Sequence, residues 1–150
     1  MTTTAMRAQS SELRRTTSAP ATATADGEAE TRVYTPGAYR NLKVWQRAIQ
    51  LSVAIYKFTG DFPNAELYGL TSQLRRAAVS IASNIAEGYG RASKGEFRQF
   101  VGMARGSVLE LQTQLEIAKA LGFGKQAQLA TVNALAEETG KMTWALMRRL

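Results

Sequence analysis

The stretch Phe62–Arg91, FPNAELYGLTSQLRRAAVSIASNIAEGYGR, decides the fold. Pro63 and Asn64 read as a helix entry, because Asn caps a first turn well and Pro is tolerated just outside it. Apolar residues then recur at Leu67, Leu70, Leu74, Ala77, Ala78, Ile81 and Ile85, the spacing of one helical face. The stretch predicts a helix over 65–87, closed at Gly88 by a left-handed residue. Gln73, Arg76, Ser80, Ser83 and Glu87 fall on the other face, with no nucleophile–base pair, metal site or phosphate loop among them.

The segments on either side carry the same period. Upstream, Val44, Ala48, Leu51, Ile55 and Phe58 predict a helix over 41–59, stopped by Gly60, Asp61, Phe62 and Pro63. Downstream, Ser93 and Glu96 fit the capping box that opens a third helix. Its seam is Phe97, Val101, Ala104, Val108, Leu111, Leu115 and Ala118. Leu121, Gly122, Phe123 and Gly124 end it. A fourth helix over 125–149 follows, with Leu129, Val132, Ala136, Thr139, Thr143 and Leu146 on the seam and Leu135, Met142 and Trp144 widening it. Four helices joined by short loops, with no alternating strand, predict an all-α, antiparallel up-down-up-down four-helix bundle. The expected domain is 39–150. Residues 1–38 form a Thr/Ala/Ser-rich tail, expected to be disordered because it has too little apolar surface to offset chain entropy.

Composition narrows the function. The chain has no Cys and no His. Disulfides, thiolate metal sites, the usual general base and the Glu-x-x-His di-iron motif are therefore absent. Any active site would need Asp, Glu, Lys, Arg, Tyr and Ser alone, so a non-enzymatic protein without cofactor or metal is expected. No apolar run reaches membrane-spanning length and no apolar leader opens the chain, so the expected compartment is the cytoplasm. The net charge is +7, with 19 basic and 12 acidic residues. Residues 41–150 hold 14 basic and 8 acidic side chains, a net of +6, so the charge belongs to the helical domain. Such a balance attracts RNA, DNA or acidic partners, or simply keeps a domain soluble.

The string LYGLTSQLRRAAVSIASNIAEGYGR, with LKVWQRAIQLSVAIYKFTGDFP before it and QFVGMARGSVLELQTQLEIAKALG after it, resembles a bacterial four-helix-bundle family. Its members were first met as proteins encoded in intervening sequences of 23S ribosomal RNA genes. A more distant similarity is to the accessory proteins of diversity-generating retroelements, basic bundles that form five-fold rings and work with a reverse transcriptase and RNA. The resemblance implies a homo-oligomer, with a pentamer favoured, that acts beside RNA or recruits a partner such as a reverse transcriptase.

Candidate sites follow from the helical faces. Trp45, Ile49 and Tyr56 make a second apolar strip on the first helix, which suits either a subunit interface or a deeply buried helix. Asn84 sits at a seam position, where a polar residue fixes register or oligomeric state. Gly102 and Gly106, one turn apart, suggest close backbone contact with another helix, within or between chains. Arg98, Arg105, Gln112 and Lys119 recur every seven residues, and Arg91 and Lys94 extend them toward the preceding turn. This ridge is the best phosphate track in the sequence, against the alternative of a solvated face. Arg75 and Arg76 are further anion candidates, with an ion pair to a neighbouring helix the preferred reading for Arg76. Tyr68 and Tyr89 are expected to fill the bundle ends rather than stack on bases. Arg148 and Arg149 are read as complements of the last helix dipole.

Overall fold

A computed structural model describes residues 35–150. The expected tail therefore lies outside the described residues, except for its last four. Those enter the domain through a turn and a 3-10 turn, Ala38–Asn41. Four helices follow: α1 Lys43–Thr59, α2 Leu70–Tyr89, α3 Lys94–Leu121 and α4 Gln126–Arg149. No strand occurs among the described residues. Each helix packs on its two neighbours in chain order and α4 closes against α1, while α1 and α3 stand diagonally opposed, as do α2 and α4. This is the up-down-up-down four-helix bundle that the four apolar seams require.

Those seams form one core. Leu51, Ile55, Phe58, Leu74, Ile81, Ile85, Val101, Leu111 and Leu115 are fully buried. Each such side chain contributes about 1.5–3 kcal/mol relative to exposure. Thr139 and Thr143 on the α4 seam are also buried, and their hydroxyls donate to the backbone oxygens of Leu135 (2.7 Å) and Gly140 (2.9 Å). At one end of the bundle Phe58 meets Phe62 edge to face, with centroids 5.0 Å apart, and Phe62 meets Phe123 at a tilt of 55°, with centroids 5.5 Å apart. The α3 terminus closes as the sequence requires. Gly122 is left-handed (φ 72°), its N–H donates to the Lys119 oxygen, and the Phe123 N–H donates back to the Ala118 oxygen.

The signature stretch differs from expectation at both ends. The helix begins at Leu70 rather than Ala65, after a separate 3-10 turn, Asn64–Glu66. Gly69 (φ −108°, ψ −119°) breaks the path, and Asn64 makes no cap. The Glu66 carboxylate instead accepts from the Leu70 N–H at 2.9 Å. Leu67, expected in the seam, is consequently 50% exposed. At the far end Gly88 does not close the helix. It is buried inside α2, which ends at Tyr89 with a right-handed Gly90 (φ −76°). A Cβ on Gly88 would overlap the Phe100 Cβ and lie 3.0 Å from the Phe97 ring, so the missing side chain lets α2 and α3 approach closely. Contact of that kind was expected at Gly102 and Gly106. Within the chain, however, Gly106 has nothing within 4 Å and Gly102 only the Met147 sulfur at 3.7 Å.

Candidate interaction surfaces

The bundle topology sorts the charged side chains by end. The start of α1, the end of α2, the start of α3 and the end of α4 share one end. There Arg40, Lys43, Arg91, Lys94, Arg98, Arg148 and Arg149 are all exposed, against only Glu87 and Glu96. The two acids are committed locally. Glu87 holds Arg91 at 2.8 Å, and Glu96 takes a 3.2 Å bond from the Ser93 hydroxyl, which itself caps the Glu96 N–H at 3.1 Å. Arg91 also lies 4.6 Å over the Phe100 ring, and Arg40 lies 5.3 Å over Tyr39. Lys43, Arg98, Arg148 and Arg149 form no ion pair among the described residues. The opposite end is balanced, with Lys57, Lys119 and Lys125 beside Asp61, Glu66 and Glu116.

The ridge of cations seven apart is thereby divided. Arg98 belongs to the basic end. Arg105 is half-buried with its guanidinium 4.5 Å over the Trp144 ring. Gln112 lies beside a shallow depression between α3 and α4, with Leu109, Thr113, Glu116, Asn133 and Glu137. Lys119 sits at the opposite end. Arg148 and Arg149, read from sequence as dipole partners only, are part of the basic end.

A groove of about 620 Å³ runs between α1 and α2, lined by Tyr56, Leu67, Tyr68, Val79, Arg75 and Arg76 among others, and by no acidic residue. Tyr68 is 94% exposed, so it does not fill the bundle end as expected, because Gly69 turns the chain out of the helix before the core begins. Tyr89 does fill the other end, edge-on to Phe97 at 5.8 Å. Arg75 is fixed in the groove wall. Its Nε donates to the Thr59 hydroxyl at 2.9 Å and its guanidinium lies 4.6 Å over Tyr56. Arg76 is exposed and makes no ion pair among the described residues. Glu110 of the adjacent α3 lines a depression with Arg76 and accepts from Gln114 at 3.2 Å.

The other interface candidates separate by burial. Trp45 is half-buried and packs edge-on to Tyr39 at 5.3 Å, whereas Ile49 and Tyr56 remain exposed. Val53, 51% exposed, joins these two into one stripe. The sequence reading missed it, although it lies four residues from Ile49 and three from Tyr56. Asn84 is half-buried at the α2–α3 edge and donates to the Ser80 oxygen (2.9 Å) and hydroxyl (3.0 Å). Ser80 in turn meets the Ser107 hydroxyl of α3 at 3.0 Å, so Ser80 shares the Asn84 edge rather than lying across the helix from it.

Among the described residues no cluster of His, Cys, Asp or Glu could hold a metal ion, and no helix is long and apolar enough to cross a membrane. A resolved ionisation shift occurs at the surface pair Glu137–Lys141, 2.8 Å apart. The hydrogen bond between them, with the attraction of their charges, holds the carboxyl below its ordinary range and raises the amine.

The family model for 23S rRNA-intervening sequence proteins matches residues 40–145. No curated protein matches the chain. A solved structure from Bacteroides thetaiotaomicron, described as a protein of unknown function from the S23 ribosomal protein family, has the same fold. It aligns with a TM-score of 0.62 and 21% identity, over 69% of this chain and 97% of that one. None of these matches indicates an enzyme family.

Proposed function

As the chain belongs to the 23S rRNA-intervening sequence protein family, we propose that it is a non-enzymatic, self-assembling accessory protein that holds RNA at the basic end of its bundle. The observation that carries this reading is the gathering of seven exposed cations against two locally committed acids at that end. Phosphates are bound by clustered, exposed charge, and Arg in particular meets them with paired donors. Repetition of the end in a homo-oligomer, with a pentamer favoured, turns weak contacts into useful affinity.

The test is the salt dependence of binding between the full chain and a structured fluorescent RNA, read by anisotropy. Replacing Arg98, Arg148 and Arg149 by Gln removes three phosphate partners, and each contributes about 0.7–0.9 to the log–log salt slope. The slope per chain is expected to flatten by about 2, while replacing Lys57, Lys119 and Lys125 at the balanced end changes it little. An unchanged slope overturns the placement. Absence of binding at low salt overturns the RNA reading and favours its rival, a scaffold that recruits a protein such as a reverse transcriptase without touching nucleic acid.

A further inference from the structure

Two side walls of the bundle carry opposite unsatisfied charge beside exposed apolar surface. One is the α1–α2 groove, where Tyr56, Leu67 and Val79 are about half exposed, Tyr68 is almost wholly exposed, and the only charged side chains are Arg75 and Arg76. The other is the α3–α4 depression, where Leu109 is 52% exposed and the charged side chains are Glu116 and Glu137. Arg75 is occupied by Thr59 and Tyr56, and Glu137 by Lys141. That leaves Arg76 on one wall and Glu116 on the other without an ion pair among the described residues.

We infer that the occupant of the α1–α2 groove is the α3–α4 wall of a second copy of this chain, with Arg76 of one copy paired to Glu116 of the next. The inference rests on the self-assembly in the proposed function and deepens it by assigning the faces. Because α1–α2 and α3–α4 lie on opposite sides of the bundle, Glu116 of a chain does not reach Arg76 of the same chain. Because the two walls differ, the contact is head-to-tail rather than a two-fold exchange of one patch, and such contacts close into rings or continue as filaments. The match is of charge as well as apolarity: Arg76 and Glu116, neither in an ion pair among the described residues, are of opposite sign. A like-charge juxtaposition at such a site selects strongly against the wrong pairing.

Charge exchange in the full-length chain tests the pairing. The wild-type chain is expected to sediment above the 16.4 kDa of one copy. Arg76→Glu and Glu116→Arg, both at exposed positions, should each bring the mass toward one copy with unchanged helical circular dichroism. The double variant, which restores the pair with its signs reversed, should regain the assembly. Single variants that keep the wild-type mass, or a double variant that stays dissociated, overturn the assignment of these faces. A wild-type chain that stays at one copy at every concentration overturns self-assembly as well. RNA binding at the basic end is measured separately, so its failure is not confused with either result.

Discussion

Replacing Gly88 by Ala should destabilise the bundle, although helix propensity alone favours the change. Gly88 lies within α2 and is buried. In a helix interior, Ala is better than Gly by about 1 kcal/mol. Against that gain stands the overlap of the new methyl with the Phe100 Cβ, with the Phe97 ring 3.0 Å away and the Phe100 ring carbon at 3.3 Å. A Cβ has no torsion by which to move aside, and its principal neighbour is itself a Cβ fixed to the α3 backbone. The helices must therefore separate, which places the cost at the upper part of the about 1–3 kcal/mol of an overpacked core. The net loss is about 1–2 kcal/mol, a fall in melting temperature of about 4–10 °C for a domain of this size. Gly106→Ala is the matched control, because nothing lies within 4 Å of its would-be Cβ. It keeps the propensity gain without the clash and should raise the melting temperature by a few degrees, about 0.5–1 kcal/mol. Both are measured by thermal circular dichroism on the same preparation. A Gly88→Ala chain that melts at or above the wild type would refute the close-approach argument. A Gly106→Ala chain that is destabilised and loses assembled mass would show that this glycine meets another subunit.

Two smaller effects follow from local geometry. Ser93→Ala removes the side-chain acceptor of the Glu96 N–H at the start of α3 and should cost about 1 kcal/mol in chemical unfolding, with no change of assembled mass. Glu137 has its carboxyl lowered by Lys141, so the pair supports the folded chain above the ordinary Glu range and that support is lost as pH falls through the lowered value. Lys141, raised by Glu137, contributes below the ordinary Lys value and loses its contribution as pH rises through the raised one. Both groups are fully exposed, so the check is an NMR titration: the Glu137 midpoint should return to the ordinary range in Lys141→Ala.

The seams were legible because burial imposes a 3.6-residue period directly on the sequence, and Val101 to Ala118 shows it most cleanly. What decided the α2 start was not. The Glu66 carboxylate reaches forward past Gly69 to cap the Leu70 N–H, and neither residue announces this in one dimension. Gly88 was misread because a glycine near a helix end signals either a left-handed stop or a close neighbour. Only the position of Phe97 and Phe100 on the next helix distinguishes them. The cations seven apart formed a regular pattern, but Arg98 and Lys119 are separated by about 32 Å of helix and serve opposite ends. The basic end was recoverable in principle: the up-down-up-down order, applied to Arg40, Lys43, Arg148 and Arg149, brings together residues more than a hundred positions apart.

The two charged features bear on each other through symmetry. Had one patch paired with itself across a two-fold perpendicular to the helices, it would turn one basic end up and its partner's down. A contact between opposite side walls, with the helices kept parallel, instead sets every basic end on the same side of the assembly. In the proposed assembly the side walls would hold the copies together without using any of the seven end cations, since neither Arg76 nor Glu116 is among them. Charge on that one side would grow with each copy added, while the balanced end, with its Lys125–Asp61 pair at 3.5 Å, contributes no opposing field of similar size. The proposed self-assembly and polyanion binding would thus be separable by mutation yet cooperative in effect: the first would multiply the surface on which the second acts.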